Sequence, residues 1–212
     1  MAMKTVVIIS GSGSNLQALI DRANEIGIEI SGVISNREEA FGLQRAQRAG
    51  ITTALVDHRQ FESRETFDAA LSETIDGMQA QLVILAGFMR ILTPEFTRRY
   101  EGRMLNIHPS LLPKYRGLHT HRRALEAGDE WHGATVHFVT EELDGGATII
   151  QAPVAVSSAD SEETLAAKVH AVEHRIYPLA AQWFAEGRLR LEQGVAYLDN
   201  APLPVEGYQY HD

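Results

Sequence analysis

Five short apolar runs rich in β-branched residues, Lys4 to Ser10, Ile28 to Ser35, Ile51 to Val56, Leu82 to Ala86 and Met104 to His108, alternate with segments of helical periodicity. That alternation leaves few folds open. Strands joined through helices run parallel, so the first half of the chain reads as α/β with a doubly wound, mostly parallel, Rossmann-like sheet. The intervening helices carry their own signals. Asn15, Leu16, Leu19, Ile20 and Ala23 recur at helical steps after Gly11-Ser-Gly-Ser14, Phe41 to Ala49 is closed by Gly50, and Ser63 caps a helix carrying Phe67, Leu71, Thr74 and Ile75. Thr93 before Pro94 is an N-cap followed by proline at the first helical position, which predicts a helix to about Tyr100.

The pattern changes after His108. Pro109 and Pro113 force an extended, irregular loop, a helix around Arg122 to Ala127 stops at Gly128, and Ala134 to Thr140 reads as a strand. The turn Glu141-Glu-Leu-Asp-Gly-Gly146 then leads into a strand from Thr148 to Val156, so this part is a hairpin-like, antiparallel addition. Leu165, Val169, Val172, Ile176, Leu179 and Trp183 mark a long amphipathic helix, with a kink expected ahead of Pro178. Gly187 ends it. Leu189 to Leu191 and Val195 to Leu198 predict a small terminal hairpin, and Ala201 onward reads as a polar, proline-containing tail.

Length and charge set bounds on function. At 212 residues the chain reads as one domain, 1–212, whose first half, about 1–100, holds the candidate phosphate loop and whose second, about 101–200, holds the candidate catalytic residues described below. No apolar run approaches the ~20 residues of a membrane span, and Met-Ala-Met-Lys leads into Thr5 to Ile9 without an apolar signal segment, so a cytoplasmic location is expected. A net charge of −9 argues against nonspecific binding of nucleic acid, whose affinity comes from clustered Lys and Arg. Without cysteine there is no thiolate nucleophile, thiolate-bound metal or disulfide.

Three stretches carry chemistry. Ser10-Gly-Ser-Gly-Ser-Asn15 lies between strand and helix, where small residues let backbone N–H groups close on a phosphate and the helix N-terminus favours negative charge. It is neither a dinucleotide fingerprint, since Leu16 occupies the third glycine position, nor a Walker loop, since no Gly-Lys-Ser/Thr follows; a tight turn without ligand is the plain alternative. Asn106 and His108 alternate along a strand and share one side, offering an amide donor and a group that titrates near neutrality. Asp144 precedes Gly145-Gly146, a combination that also occurs in ordinary hairpin turns. His119 and His121 lack the spacing and third ligand of a metal site, and of two candidate anion contacts, Arg64 and Arg90, position favours Arg90.

Taken in order, Gly-Ser-Gly-Ser-Asn at 11–15, Leu-Ala-Gly-Phe-Met-Arg-Ile-Leu at 85–92, Asn-Ile-His-Pro-Ser-Leu-Leu-Pro at 106–113 and Glu-Leu-Asp-Gly-Gly at 142–146 closely resemble the folate-dependent formyltransferases over nearly the whole chain. The trio Asn106, His108 and Asp144 marks the wider family, whereas the 11–15 loop and the compact length select the members that act on glycinamide ribonucleotide. The resemblance implies the formyltransferase version of the Rossmann-like sheet and transfer of the formyl group of 10-formyltetrahydrofolate, a cosubstrate, to the ribonucleotide's amine in purine synthesis. No metal or prosthetic group is implied. By residue, Gly11, Ser12, Gly13, Ser14 and Asn15 would hold the ribonucleotide phosphate, with Glu173 on the ribosyl part. His170 stands where related chains carry lysine. Arg64, Met89, Arg90, Ile91, Leu92, Asn106 and the turn Thr140, Glu141, Glu142, Leu143 and Asp144 would flank the folate. Arg116 replaces a proline of some relatives. Partners are the two small molecules, with no nucleic acid and no membrane; a homodimer rests on analogy alone.

The implied chemistry is direct attack of the amine on the formyl carbon through a tetrahedral intermediate. Asn106 and protonated His108 donate to the oxyanion, an effect typically worth about 2.7–4 kcal/mol per donor. Asp144 supports the charged imidazole and positions a water or the amine for proton transfer. Three rivals stand beside it. Formyltetrahydrofolate hydrolysis and formylation of methionyl-tRNA both call for an additional domain, and a noncatalytic phosphate-binding module would use the 11–15 loop alone.

Overall fold

The computed structural model describes residues 1–212, which form two compact units, Met1–Asn106 and Ile107–Asp212. Strands β1 (Met3–Ile9), β2 (Ile28–Ser35), β3 (Thr53–Leu55), β4 (Leu82–Leu85) and β5 (Met104–His108), the last running two residues past the first unit, pair in parallel in the order β5-β4-β1-β2-β3. Val6 to Ile9, Val33, Ile34 and Leu82 to Ile84 are buried, as expected for strands covered on both faces. The order reverses at β1, whose neighbours are β2 on one side and β4 on the other. That switch point is where an open α/β sheet places a ligand, at the carboxyl ends of the strands. Residues 10–15 leave β1 there and residues 86–92 leave β4.

Helix boundaries follow local chemistry. α1 (Ser14–Ile26) starts after Gly13 at φ 75 and stops at Gly27 at φ 78, whose N–H bonds the carbonyls of Ala23 and Asn24. α2 (Phe41–Arg48) packs beside α1, and α3 (Arg64–Gly77) opens with a Ser63–Thr66 capping box. α4 (Pro94–Arg99) is capped by Thr93, whose own N–H donates to the buried Asp68 at 2.7 Å. The strand predicted over 51–56 shortens to Thr53–Leu55, the residues in register with Val33 to Ser35 of β2, with Thr52 and Val56 each adding one backbone hydrogen bond at its ends.

In the second unit α5 (Thr120–Ala127) precedes β6 (Trp131–Phe138) and β7 (Thr148–Ala155), which pair antiparallel with a bulge between Val136 and His137. The predicted hairpin is present, but β6 begins at Trp131 rather than Ala134. Pairing of Trp131 to Gly133 with Pro153 to Ala155 overrides the poor strand propensity of Gly133. α6 (Glu162–Ala185) carries a Ser161–Thr164 capping box, packs on β6 and β7 through Leu165, Val169, Ile176 and Tyr177, and runs as one element through Pro178. β8 (Leu189–Glu192) and β9 (Val195–Leu198) form the expected hairpin, extended by β10 (Ala201–Pro202). The tail is not wholly irregular: β11 (Tyr208–Gln209) pairs parallel with β7. Backbone groups on an unpaired strand edge recruit such a partner with little help from side-chain pattern, which is why the polar tail concealed it. No helix is long and apolar enough to cross a membrane.

Candidate active site

β5 delivers Asn106, half-buried, and His108, buried, on alternate positions of one strand, followed by the irregular 109–119 loop. The imidazole of His108 is held on both nitrogens. Nε2 lies 2.8 Å from the carbonyl oxygen of Tyr115, and since a carbonyl only accepts, the proton sits on Nε2. Nδ1 then faces Asp144, 3.5 Å from Oδ2. At that separation the contact is a charge pair when the imidazole is protonated and leaves room for Nδ1 to donate elsewhere.

Asp144 is built into its place by its backbone. It adopts φ 52, a left-handed conformation that Asp tolerates better than most residues. Its Oδ2 accepts the Gly117 N–H at 2.9 Å, and its side chain is 7% exposed. Of the two glycines that follow, Gly146 is sterically required. A Cβ on Gly146 would sit 1.8 Å from the Phe138 carbonyl oxygen, so only glycine lets the turn close against β6. Arg116 clips the same turn from outside through Glu142 at 2.5 Å.

Two neighbouring residues escaped the sequence reading. His137 lies with Nε2 4.0 Å from Asp144 Oδ1 and Nδ1 2.9 Å from the Phe138 carbonyl. Burial pushes its pKa down, against the attraction of Asp144, so the neutral ring adds no charge to Asp144 at neutral pH. Thr135, fully buried, donates to the Ser110 carbonyl at 2.7 Å and accepts from Leu112 N–H at 3.1 Å and Gln151 Nε2 at 3.2 Å. It pins the proline-rich loop. The available signal was the alternation of Thr135 and His137 along β6; the backbone groups of Tyr115 and Gly117 offered none.

In the first unit, Gly11 and Ser12 are exposed, Gly13 and Asn15 buried and Ser14 half-buried. No side chain caps α1 at Gly13, so an anion is the natural partner for first-turn amides, which have no acceptor within the helix. Ser10 Oγ accepts the Met89 N–H at 2.9 Å and donates to Asn36 Oδ1 at 2.6 Å, joining the 11–15 loop to the 85–92 segment. Met89 and Ile91 are exposed at 61% and 55%, Leu92 is half-buried, and the Arg90 guanidinium lies over the Phe67 ring at 5.5 Å. Arg64 is exposed at the first position of α3.

Elsewhere in the second unit, Leu143 is 53% exposed, Glu141 and Glu142 are exposed and Thr140 half-buried. On α6, Glu173 is buried, whereas His170 is exposed and stacks on His174. His119 is exposed at φ 58 before α5, and His121 Nδ1 pairs with His132 Nε2 at 3.1 Å. His119, the N-cap residue of α5, makes no side-chain cap hydrogen bond.

Residues 3–181 match the formyl transferase family. The chain is 55% identical over 208 residues to phosphoribosylglycinamide formyltransferase of Escherichia coli (strain K12), covering 97% of this chain and 98% of that protein. It is 49% identical over 207 residues to the Haemophilus influenzae protein of the same name, again covering 97% and 98%. The solved structure of phosphoribosylglycinamide formyltransferase from Coxiella burnetii superposes with a TM-score of 0.96 at 49% identity over the full length of both chains.

Proposed function

This chain belongs to the formyl transferase family, and on that premise we propose that Asn106, His108 and Asp144 carry the transfer of a formyl group from 10-formyltetrahydrofolate to phosphoribosylglycinamide. The activity is that of a phosphoribosylglycinamide formyltransferase of purine synthesis. The observation that carries the catalytic reading is the His108–Asp144 pair: a buried imidazole with one nitrogen fixed on a carbonyl and the other turned toward a carboxylate held at positive φ.

The neutral amine attacks the formyl carbon, a C–N bond forms, and the carbonyl π pair moves to oxygen. In the protonated imidazole, Nδ1–H is the proton left to donate, since Nε2–H is committed to Tyr115. Asn106 supplies the second donor. Both interactions strengthen as the oxyanion develops, which is what lowers a barrier rather than merely binding substrate. Collapse of the intermediate breaks the bond to the folate nitrogen, which takes the proton that the amine loses, through water or the Asp144 carboxylate. Formylated ribonucleotide and tetrahydrofolate leave, with no covalent enzyme intermediate.

Gly11 to Asn15 bind the ribonucleotide phosphate, with Glu173 on the ribosyl group and the exposed His170 as a further ribonucleotide contact. Met89, Ile91 and Leu143 offer exposed apolar surface for the folate, with Arg64, Arg90, Leu92 and Thr140 to Glu142 around it. The reading places this activity in one functional domain of the cytoplasm, with a homodimer as its assembly by analogy with the family.

A two-substrate assay tests this reading. Tetrahydrofolate should form only when ribonucleotide is present, with one formylated ribonucleotide per turnover. Release at the same rate without ribonucleotide would make the protein a hydrolase, and no release under either condition would leave a binding module.

A further inference from the structure

We propose that Arg45, on α2, is a positioning residue for the ribonucleotide phosphate, acting through the backbone of the 11–15 loop; the inference rests on the phosphate-binding reading of that loop. The loop does not hold its shape alone. Gly42 N–H donates to the Gly11 carbonyl at 3.0 Å, and a Cβ on Gly13 would lie 2.6 Å from the Gly42 Cα, so the loop and the first turn of α2 touch backbone to backbone. One turn further along α2, Arg45 Nε donates to the Ser12 carbonyl at 2.7 Å, and Nη1 reaches Gln17 Oε1 on α1 at 3.5 Å. The guanidinium lies over the Phe41 ring at 4.9 Å, which restricts its swing.

The consequence follows from peptide geometry. In a planar trans peptide the C=O and N–H point in opposite directions. Pinning the Ser12 carbonyl on Arg45 therefore turns the Gly13 N–H the other way, and Gly13, at φ 75, begins the helix whose first-turn amides meet the anion. The same contact keeps the Ser12 carbonyl dipole from being presented to a phosphate and leaves a permanent positive charge behind the loop. Lysine would retain the charge but not the planar fork that spans Ser12 and Gln17. Arg45 is half-buried and need not contact the ligand to act in this way.

The experiment compares the full-length protein with Arg45→Ala, Arg45→Lys and, as a control on the loop itself, Ser12→Asp. Steady-state kinetics in both substrates are combined with calorimetric titration of glycinamide ribonucleotide and with melting temperatures. Arg45→Ala should raise KM and Kd for the ribonucleotide about tenfold or more, as expected for loss of a charged hydrogen bond. The folate KM and the kcat at saturating ribonucleotide should stay within about twofold, and Arg45→Lys should recover part of the loss. If Arg45→Ala binds ribonucleotide normally while Ser12→Asp does not, the role of Arg45 is overturned and the loop reading stands. Normal binding by both variants overturns the loop reading as well. Equal losses for both substrates, with a lowered melting temperature, would make Arg45 a structural residue and also overturn the proposal.

Discussion

At the scale of single residues, the site depends on how the protein disposes of charge. His137 and His108 both approach Asp144, yet burial keeps His137 neutral, so one carboxylate serves one imidazole. Asp144→Asn is the informative change, because Asn tolerates the same left-handed conformation and its amide oxygen can still accept the Gly117 N–H. The variant isolates charge from geometry. It and His108→Ala are each expected to lower kcat by about 10²–10⁴-fold, the usual range for general acid–base groups, with unchanged circular dichroism. Rapid turnover by either variant would remove that side chain from the chemistry. Asn106, His108 and Asp144 were legible in the sequence as residue types in a recognisable order. Thr135 was not, because a threonine in a β-branched strand carries no mark of the three hydrogen bonds it makes to Ser110, Leu112 and Gln151.

At the scale of elements, the strands hold the connections that carry the proposed site. The 11–15 loop leaves the carboxyl end of β1, the 86–92 segment leaves β4, and the 139–147 turn joins β6 to β7. The last of these has the least steric slack. Gly146→Ala would drive a Cβ into the Phe138 carbonyl, so the turn must open and Asp144 must leave its position. The expected result is a kcat loss comparable to that of Asp144→Asn together with a lower melting temperature, read by kinetics and calorimetry on the same sample. A variant with normal kcat would show that the turn tolerates another path. Several helix ends were legible because caps are local: Ser63 and Thr93 precede their helices and Gly128 ends one, whereas the Ser161 cap and the Gly27 stop emerged only in the structure. β11 and the true start of β6 were not, since both depend on pairing with β7.

At the scale of the molecule, several buried or paired groups bias the fold against acid. Burial and the neighbouring His121 hold His132 at about 4 instead of its ordinary 6.5, and burial also lowers His121 and His137. The unfolded chain protonates these rings near 6.5 while the folded chain does not, so it binds more protons and stability falls as pH drops from 6.5 toward 4. Each such group contributes a slope of up to about 1.36 kcal/mol per pH unit within its window. Asp57, bonded by Arg59, and Asp160, bonded by Lys168, are held near 2; their stabilisation is present above 3.8 and is lost below it. The melting temperature should therefore decline between pH 7 and 5, with His132→Gln flattening the decline. A calorimetric series with no slope over that range would contradict the burial of these rings.

The sequence by itself determined the βα alternation, the switch to an antiparallel addition, the loops that carry glycine and proline, and the family's ordered motifs. These are consequences of side-chain period, cap chemistry and backbone permissiveness, all of which act over a few neighbouring residues. Only the tertiary structure decided which nitrogen of His108 keeps its proton, that Asp144 is anchored by Gly117, that burial lowers the His137 pKa, and that Arg45 of α2 bonds the Ser12 carbonyl of the 11–15 loop. Each of these depends on groups brought together from distant points in the chain. Burial, hydrogen-bond direction and electrostatic partners exist only once that packing has formed.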